Sequence, residues 1–244
     1  MCNRAGTWYD YMGECDMPLI HAPSFTPMMA LDIDVRTKVR YDYSYIKSAV
    51  VKIGDEIFEV TGFGSYFLNG VAGASLPATI ADFPVTHTHP SDKIHIFEIQ
   101  VTDKEKIIFR TFKDWVSVKL DHTGAERFHG SQGMMGEYET GKLLARDGKT
   151  VLQDPIDLAN EWQVRQDEPM LFLSRSGPQH PQACRLPYTD ETIKKNLRRR
   201  LGESTLSLEA AEKACSGWSP DTREGCLHDV MASGDLDLAE SGAF

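Results

Sequence analysis

The chain has 244 residues, 41% of them hydrophobic and 25% charged, and its formal net charge is −10 at pH 7. This length fits one large domain or one domain with an appendage, and the composition is typical of a globular protein with a buried core. The acidic balance argues against nucleic acid as the main partner, because phosphate binding needs a basic surface. No apolar run reaches the roughly 18 residues of a membrane span, so none is expected.

The first residues, MCNRAGTWYDYMGECD, lack the apolar core of a signal peptide. If the protein is secreted, we therefore expect this sequence to be a fragment, a truncated gene model or one module of a longer chain.

The first half of the chain has the pattern of short β-strands. In Leu31–Arg40, LDIDVRTKVR, apolar positions alternate with charged ones, which predicts a half-buried antiparallel strand with its charges facing outward. Residues 45–53 and 56–60 flank Gly54-Asp55 and predict a hairpin. A further strand, residues 65–68, ends at Asn69-Gly70, a strong turn signal.

Three more strands are predicted at residues 94–101, 106–112 and 115–120. Short strands at near-regular spacing, with no helical periodicity between them, favour an antiparallel β-sandwich over a sheet with helical crossovers. The fold prediction is therefore mainly β: an antiparallel β-sandwich with a small C-terminal helical subdomain.

Residues 133–164 open with a tight small-residue turn, pass through an acidic loop and reach a second turn at Asp147-Gly148. We expect the stretch to end in a strand, Glu161-Trp162-Gln163-Val164, with Trp162 buried.

The composition changes after residue 185, so we divide the chain into a sandwich, 1–185, and a helical two-cysteine tail, 186–244. Residues 190–200 carry acids first and bases last, which complements a helix dipole. Ser207 can cap a second helix that runs to Trp218, and a third short helix would carry Cys226 and Val230.

The five cysteines show no C-x-x-C spacing, which argues against a zinc knuckle or a thioredoxin-type site; they are Cys2, Cys15, Cys184, Cys215 and Cys226. Two disulfides with one leftover thiol would fit an oxidising compartment, whereas five buried thiols would fit the cytosol. The cysteine count alone leaves both possibilities open.

One group of residues is typical of enzymes: His87-Thr88-His89-Pro90, followed by His95 and Glu98. Histidines at i and i+2 of a strand point to one face, as in some β-barrel metalloenzymes. Pro90 is expected to end the strand after His89, and the alternative is a solvated turn that happens to hold imidazoles. Nucleophile and phosphate-loop motifs are missing, and the pair of glycines around Phe63 predicts only a turn, so no catalytic residue is assigned.

The acidic loop offers a second type of metal site. Glu137 and Glu139, with Asp147 after the next turn, could bind calcium through carboxylate oxygens. The alternative is an ordinary polar surface loop.

Over about residues 8–185 the chain contains, in this order, the stretches YDYMGECD, LDIDVRTKVR, WVSV, GMMGEY, RDGKTV, DP and EWQV. Together these stretches resemble a von Willebrand factor type D domain. The tail, from Cys215 through GCLHDVMASGD, resembles the two-cysteine segment that follows such domains in some membrane-mucin relatives. The resemblance implies a β-sandwich and a non-catalytic extracellular or cell-surface module, acting in adhesion or matrix assembly through protein or glycan partners.

The resemblance also implies that Cys15 pairs with Cys184, so that Cys215 and Cys226 pair locally and Cys2 is left over. The chain departs from the family at Met135, where a cysteine is usual, and it lacks a Gly-Asp-Pro-His segment. The family's calcium site uses that segment, so the resemblance does not support calcium binding by this chain. Glu137 and Glu139 remain calcium candidates only through their positions in the acidic loop.

Two alternatives stand beside this hypothesis. One is a metal-dependent β-barrel enzyme or metal-binding protein that uses His87, His89 and His95. The other is an intracellular interaction domain of the same fold. The sequence leaves the oligomeric state open.

Overall fold

The structure is a computed structural model, and it describes residues 13–40, 43–121, 124–153, 155–164, 168, 171–173, 206–218, 223, 226–227, 229–231 and 234–240. The predicted helix at 190–200 and the boundary between residues 185 and 186 lie outside these ranges, as do Cys2 and Cys184.

The described chain is mainly β, with two antiparallel sheets in which strands adjacent in sequence are adjacent in space. The six-stranded sheet contains β1 (Asp16–Ala22), β2 (Leu31–Arg40), β3 (Tyr43–Ile53), β4 (Glu56–Thr61), β5 (Tyr66–Leu68) and β6 (Val71–Ala72). The five-stranded sheet contains β7 (Ala78–Ile80), β8 (Phe83–Ser91), β9 (Ile94–Gln100), β10 (Lys106–Phe112) and β11 (Trp115–Asp121). The predicted β-sandwich is confirmed.

The core lies between the sheets and is rich in aromatic side chains. Phe58 meets Phe97 and Phe109 edge to face, with ring centres 5.7 and 6.3 Å apart, and all three side chains are fully buried. Such pairs add to the free energy gained from burying apolar area alone. Phe109 of β10 and Phe97 of β9 are register partners, so the aromatic side chains form a row across the strands of the five-stranded sheet.

The turn at Asn69-Gly70 joins β5 to β6 as predicted. Asn69 and Gly70 both have positive φ, 49° and 79°, which is the pattern of a two-residue hairpin turn. The Asn69 N–H donates to the Ile57 carbonyl, and the Ile57 N–H donates to Asn69 Oδ1, each over 2.8 Å. The asparagine therefore ties the turn to the neighbouring strand β4.

The outer face of β2 is not the solvated face that the sequence predicts, because Asp34 and Arg36 are only 7% and 9% exposed. Residues 171–173 contact the buried side chains of this face. The Arg36 guanidinium lies 4.7 Å from the Phe172 ring centre, and the Leu173 N–H donates to Glu59 Oε2 over 3.2 Å. The prediction of an outward-facing charged side was wrong because this distant segment lies against it.

The predicted strand at residues 161–164 is wrong as well, since its first two residues are the end of α1 (Pro155–Trp162) and the other two are in no strand. Proline is favoured in the first turn of a helix, and Leu158 and Trp162 are spaced i and i+4, which places both on one buried face. Trp162 is 4% exposed, so its predicted burial is confirmed. Its Nε1–H donates to the Leu144 carbonyl over 2.8 Å.

The 133–164 stretch covers the outer edge of β1. Met134 and Met135 donate backbone hydrogen bonds to Pro18 and Leu19 over 3.0 and 2.9 Å. At Gly133, where φ is 119°, an added Cβ would lie 2.8 Å from the Leu19 carbonyl oxygen, so glycine permits the close approach. Covering an edge strand in this way removes a site for unwanted strand pairing.

The described part of the tail contains α2 (Leu208–Ala214), which Ser207 caps by accepting the Ala210 N–H over 3.2 Å, as predicted. The predicted Cys215–Cys226 disulfide is present. Tail residues share an apolar cluster with Phe112 of β10, and Lys113 contacts two tail carboxylates. These contacts hold the tail against the five-stranded sheet.

Cys15 is also disulfide-bonded, and its partner lies outside the described residues, as does the predicted Cys15–Cys184 pairing. In the described part of the chain, none of the helices has the length and apolar character to cross a membrane.

Candidate functional site

Three histidines meet beside Phe97 of the five-stranded sheet. His87 and His89 lie on β8, and His95 lies on the adjacent strand β9. The ring centres are 5.3 Å apart for His87 and His95, 5.7 Å for His87 and His89, and 6.1 Å for His89 and His95. The histidines singled out by the sequence are therefore brought together.

Pro90 does not end the strand, contrary to the sequence prediction. The pairing of β8 with β9 skips from Thr88 to Ser91, so Pro90 lies in an irregularity of the ladder. On the other side, β7 pairs only with Phe83–Val85. A proline there costs no ladder hydrogen bond, because no N–H is needed at an unpaired position.

Two of the rings are held by their surroundings. His87 stacks on Phe97 with ring centres 4.4 Å apart and planes 7° from parallel. His95 lies against the turn Gly62–Gly64, where a Cβ on Gly64 would come within 2.3 Å of the imidazole Cγ. Gly64, with φ of 69°, therefore leaves the space that the His95 ring occupies.

His87 and His95 face each other through their nitrogen edges. The distance from His87 Nε2 to His95 Nδ1 is 3.1 Å, much shorter than the 5.3 Å between ring centres. One nitrogen must donate a proton and the other accept it, because two acceptors or two donors would repel. The pair is thus joined by a single shared hydrogen bond.

The electrostatics of the cluster favour neutral rings. Burial lowers the pKa of His87, and the neighbouring charges that His95 and His89 would carry lower it further. Burial and His89 likewise lower the pKa of His95, which Asp92 partly opposes. A neutral imidazole keeps one nitrogen lone pair available as an acceptor or a metal ligand.

Glu98 is not part of the cluster, although the sequence places it close behind His95. It lies three residues further along β9 and forms an ion pair with Lys106, Oε2 to Nζ, over 2.9 Å. Successive residues of a strand alternate between faces, so positions 95 and 98 lie on opposite sides of the sheet.

The residues around the histidines include some that sequence reasoning missed. Phe63 is 69% exposed and has φ of 59°, the left-handed region that non-glycine residues rarely adopt. It sits in the turn that packs on His95. The only signal in the sequence was the flanking glycine pair, which gave no indication of where the turn would lie.

As the side chains stand, no three or more histidine, cysteine, aspartate or glutamate side chains in the described ranges are placed to hold a metal ion. In the histidine cluster, the His87 and His95 nitrogens point at one another, and His89 is exposed.

The calcium candidates are engaged elsewhere. Glu137 Oε2 accepts a hydrogen bond from Thr140, whereas Glu139 lies 3.9 Å from His129. Asp147 accepts the backbone N–H groups of Lys149 and Thr150, each over 2.8 Å, and these bonds lower its pKa to about 2. The three carboxylates do not converge on one point, and calcium binding stays a prediction.

Glu137 instead lines a surface groove of about 300 Å³, while Glu139 does not. The groove has both polar and apolar walls and carries two lysines; its lining is Gly130, Ser131, Gln132, Glu137, Lys142, Leu144, Gly148, Lys149 and Val151. Two ammonium groups against one carboxylate make it a poor cation site and a better match for polar or acidic groups.

A second titratable cluster lies on the outer face of the six-stranded sheet, and sequence reasoning missed it. Arg36 binds the Asp16 carboxylate through two hydrogen bonds of 2.8 and 3.1 Å. Burial, with the charges of Asp32 and Asp16, raises the pKa of Asp34 to about 7, and a hydrogen bond from the Leu171 backbone opposes the shift. Nearby, the hydrogen bond to Asp32 raises the pKa of His21.

Neither protein-family models nor curated proteins match this chain.

Proposed function

We propose that the protein is a non-catalytic extracellular or cell-surface module, acting in adhesion or matrix assembly through protein or glycan partners. The observation that carries the proposal is the Cys215–Cys226 disulfide, together with a second disulfide at Cys15. Structural disulfides persist in oxidising compartments and are rare in the cytosol. The resemblance to von Willebrand factor type D domains supports the same assignment.

The covered edge of β1 and the groove beside it also support a binding module. The edge of β1 is already covered by backbone from residues 133–164, so this edge is not open to a strand of a partner or a second copy. The groove beside Lys142 and Lys149 combines positive charge with backbone and amide groups. Such a lining suits carboxylate-bearing glycans or acidic protein segments.

Attachment of cells to surfaces coated with the oxidised protein tests the proposal. We expect attachment above that on a coating of inert protein, and we expect reduction and alkylation of the coated protein to abolish it. Attachment equal to that on the inert coating, with the protein shown to be folded by circular dichroism, would contradict an adhesive function.

Charge reversal in the groove sharpens the test. The double variant Lys142→Glu/Lys149→Glu should attach fewer cells, since it makes the groove repel acidic partners. The exposed Lys104, on the loop between β9 and β10 and outside the groove, provides the matched control as Lys104→Glu. Equal loss in both variants would show that general surface charge, not the groove, mediates attachment.

A further inference from the structure

We infer that His87 and His95 form the core of a binding site for a divalent transition-metal ion such as Cu²⁺ or Zn²⁺, with His89 as a third ligand. The inference does not depend on the proposed adhesive function. It starts from the direct contact between His87 Nε2 and His95 Nδ1 over 3.1 Å.

The spacing of these two nitrogens is close to what a metal requires. Zn–N bonds are about 2.0–2.1 Å long, and two of them at a tetrahedral angle place the nitrogens about 3.3 Å apart. An ion bound to both nitrogens lies to one side of the line that joins them, so the contact must open by a few tenths of an ångström and each ring must turn by about 35° from its hydrogen-bonded orientation. The ring that now donates the shared proton changes tautomer and carries that proton on its other nitrogen, so no proton is lost.

His89 is placed to complete the site. It lies two residues after His87 on the same face of β8, and its ring centre is 5.7 Å from that of His87 and 6.1 Å from that of His95. The side chain is exposed, so it can rotate toward the other two without disturbing the core. Rotation of one exposed imidazole turns a hydrogen-bonded pair into a set of three nitrogen ligands.

The ligand set selects the class of ion. Imidazole nitrogen suits copper, zinc and nickel, whereas calcium and magnesium prefer oxygen ligands. Glu98, the acidic residue that the sequence grouped with these histidines, is paired with Lys106 on the other side of the sheet. Among divalent first-row ions, Cu²⁺ should bind most tightly to such a site.

Neighbouring residues restrict the orientations of the His87 and His95 rings before a metal binds. Phe97 supports the flat face of His87, and Gly64 leaves no room for the His95 ring to move toward the turn. Fixing ligand rings through their neighbours lowers the entropy that binding must remove. The arrangement therefore consists of two held imidazoles and one adjustable imidazole.

Copper titration of the purified full chain, followed by electron paramagnetic resonance and calorimetry, tests the inference. We expect one Cu²⁺ per chain, with coupling to imidazole nitrogens in the spectrum. His87→Ala and His95→Ala should lose stoichiometric binding, and His89→Ala should bind more weakly with one coupled nitrogen fewer. His129, whose side chain is 76% exposed and which lies outside the cluster, provides the control as His129→Ala and should bind as the parent does.

A glycine pair tests the geometry without removing a ligand. Gly64 and Gly73 both have positive φ, 69° and 59°, so alanine strains both backbones, but only at Gly64 would the Cβ collide with His95. Gly64→Ala should lose copper binding and Gly73→Ala should keep it. No nitrogen coupling in the parent's spectrum, or stoichiometric copper retained by a folded His87→Ala/His95→Ala variant, would overturn the inference.

Discussion

The two sheets each carry a cluster of titratable side chains, and the clusters differ in what surrounds them. On the six-stranded sheet, Asp16 and Asp34 are buried, Arg36 supplies the opposite charge, and residues 171–173 lie against them. On the five-stranded sheet, the histidines are partly exposed and contact one another through nitrogen.

The difference separates a structural cluster from one suited to a ligand. Buried charges need partners, and the acidic cluster has a bidentate ion pair at its centre. The three imidazoles contain no ion pair among themselves, so their contacts contribute little to stability. Their nitrogens can nevertheless bind the same cation. Removing the cation of the first cluster should therefore cost stability, whereas removing the exposed His89 of the second should leave it nearly unchanged.

The largest loss of stability should come from Arg36→Met. Removing the cation leaves Asp16 buried without its ion-pair partner, and breaking a buried pair in this way costs about 3–5 kcal/mol of unfolding free energy. Urea titration at neutral pH measures the change. Lys38→Met, on the same strand at an exposed position, is the matched control and should stay within about 0.5 kcal/mol of the parent. Equal effects of the two substitutions would contradict the structural role of the Arg36 pair.

Trp162→Ala should cost about 3–5 kcal/mol, as is usual for a large core aromatic side chain. The indole is 4% exposed, and the Arg146 guanidinium lies 5.1 Å from its ring centre. Arg146 in turn pairs with Glu168, whose charge is one of those acting on Asp34. The loss should appear in denaturant titration, with the exposed Val151→Ala as the control. A loss of unfolding free energy below about 1 kcal/mol would contradict the burial of Trp162 in the core.

Asp34→Asn should stabilise the protein at alkaline pH. The pKa of Asp34 is raised from 3.8 to about 7, so the folded state favours the protonated carboxyl. The stability this gives is fully present below about pH 4 and is lost as the pH rises through about 7. At pH 8 the asparagine variant should exceed the parent by up to about 4 kcal/mol, using about 1.4 kcal/mol per pKa unit.

Chemical denaturation of the parent and the Asp34→Asn variant at several pH values between 4 and 8 measures this difference. We expect the two unfolding free energies to converge at the acid end and to separate steadily toward the alkaline end. A difference that does not change with pH would show that folding does not shift the pKa of Asp34. The Asp34 carboxyl would then be no better shielded from solvent than the histidine side chains.

The smallest effect should come from His89→Ala, which should alter the unfolding free energy by no more than about 0.5 kcal/mol without added metal. His89 is exposed and lies where β8 is irregular, so little packing is lost. Thermal unfolding in the presence of a chelator provides the measurement. A large loss would assign the histidine cluster a structural role like that of Arg36.

The sequence predicted those parts of the fold that depend on local pattern. The alternation in Leu31–Arg40 identified that strand, Lys106–Phe112 was predicted as a strand with the observed bounds, and Asn69-Gly70 identified its turn. Helix α1 was missed because polar and apolar residues alternate in Glu161-Trp162-Gln163-Val164, as they do in a strand. The true element is a helix that begins six residues earlier, at Pro155.

The two clusters could be predicted only in part. Histidines at i and i+2 indicated a shared face, but the contact with His95 depends on strand register and on an irregularity that admits Pro90. The burial of Asp34 depends on residues 171–173, more than 130 positions away in sequence. A charged residue in an alternating strand has the same local pattern whether or not a distant segment lies against it.

The disulfides of the native protein test the central proposal most directly. Thiols should be blocked with an alkylating reagent before the cells or medium are processed, and the non-reduced protein should then be digested and analysed by mass spectrometry. The proposal of an extracellular or cell-surface module predicts peptides linked through Cys15 to Cys184 and through Cys215 to Cys226. Recovery of Cys15 and Cys184 both as alkylated free thiols would contradict it and would favour an intracellular interaction domain of the same fold.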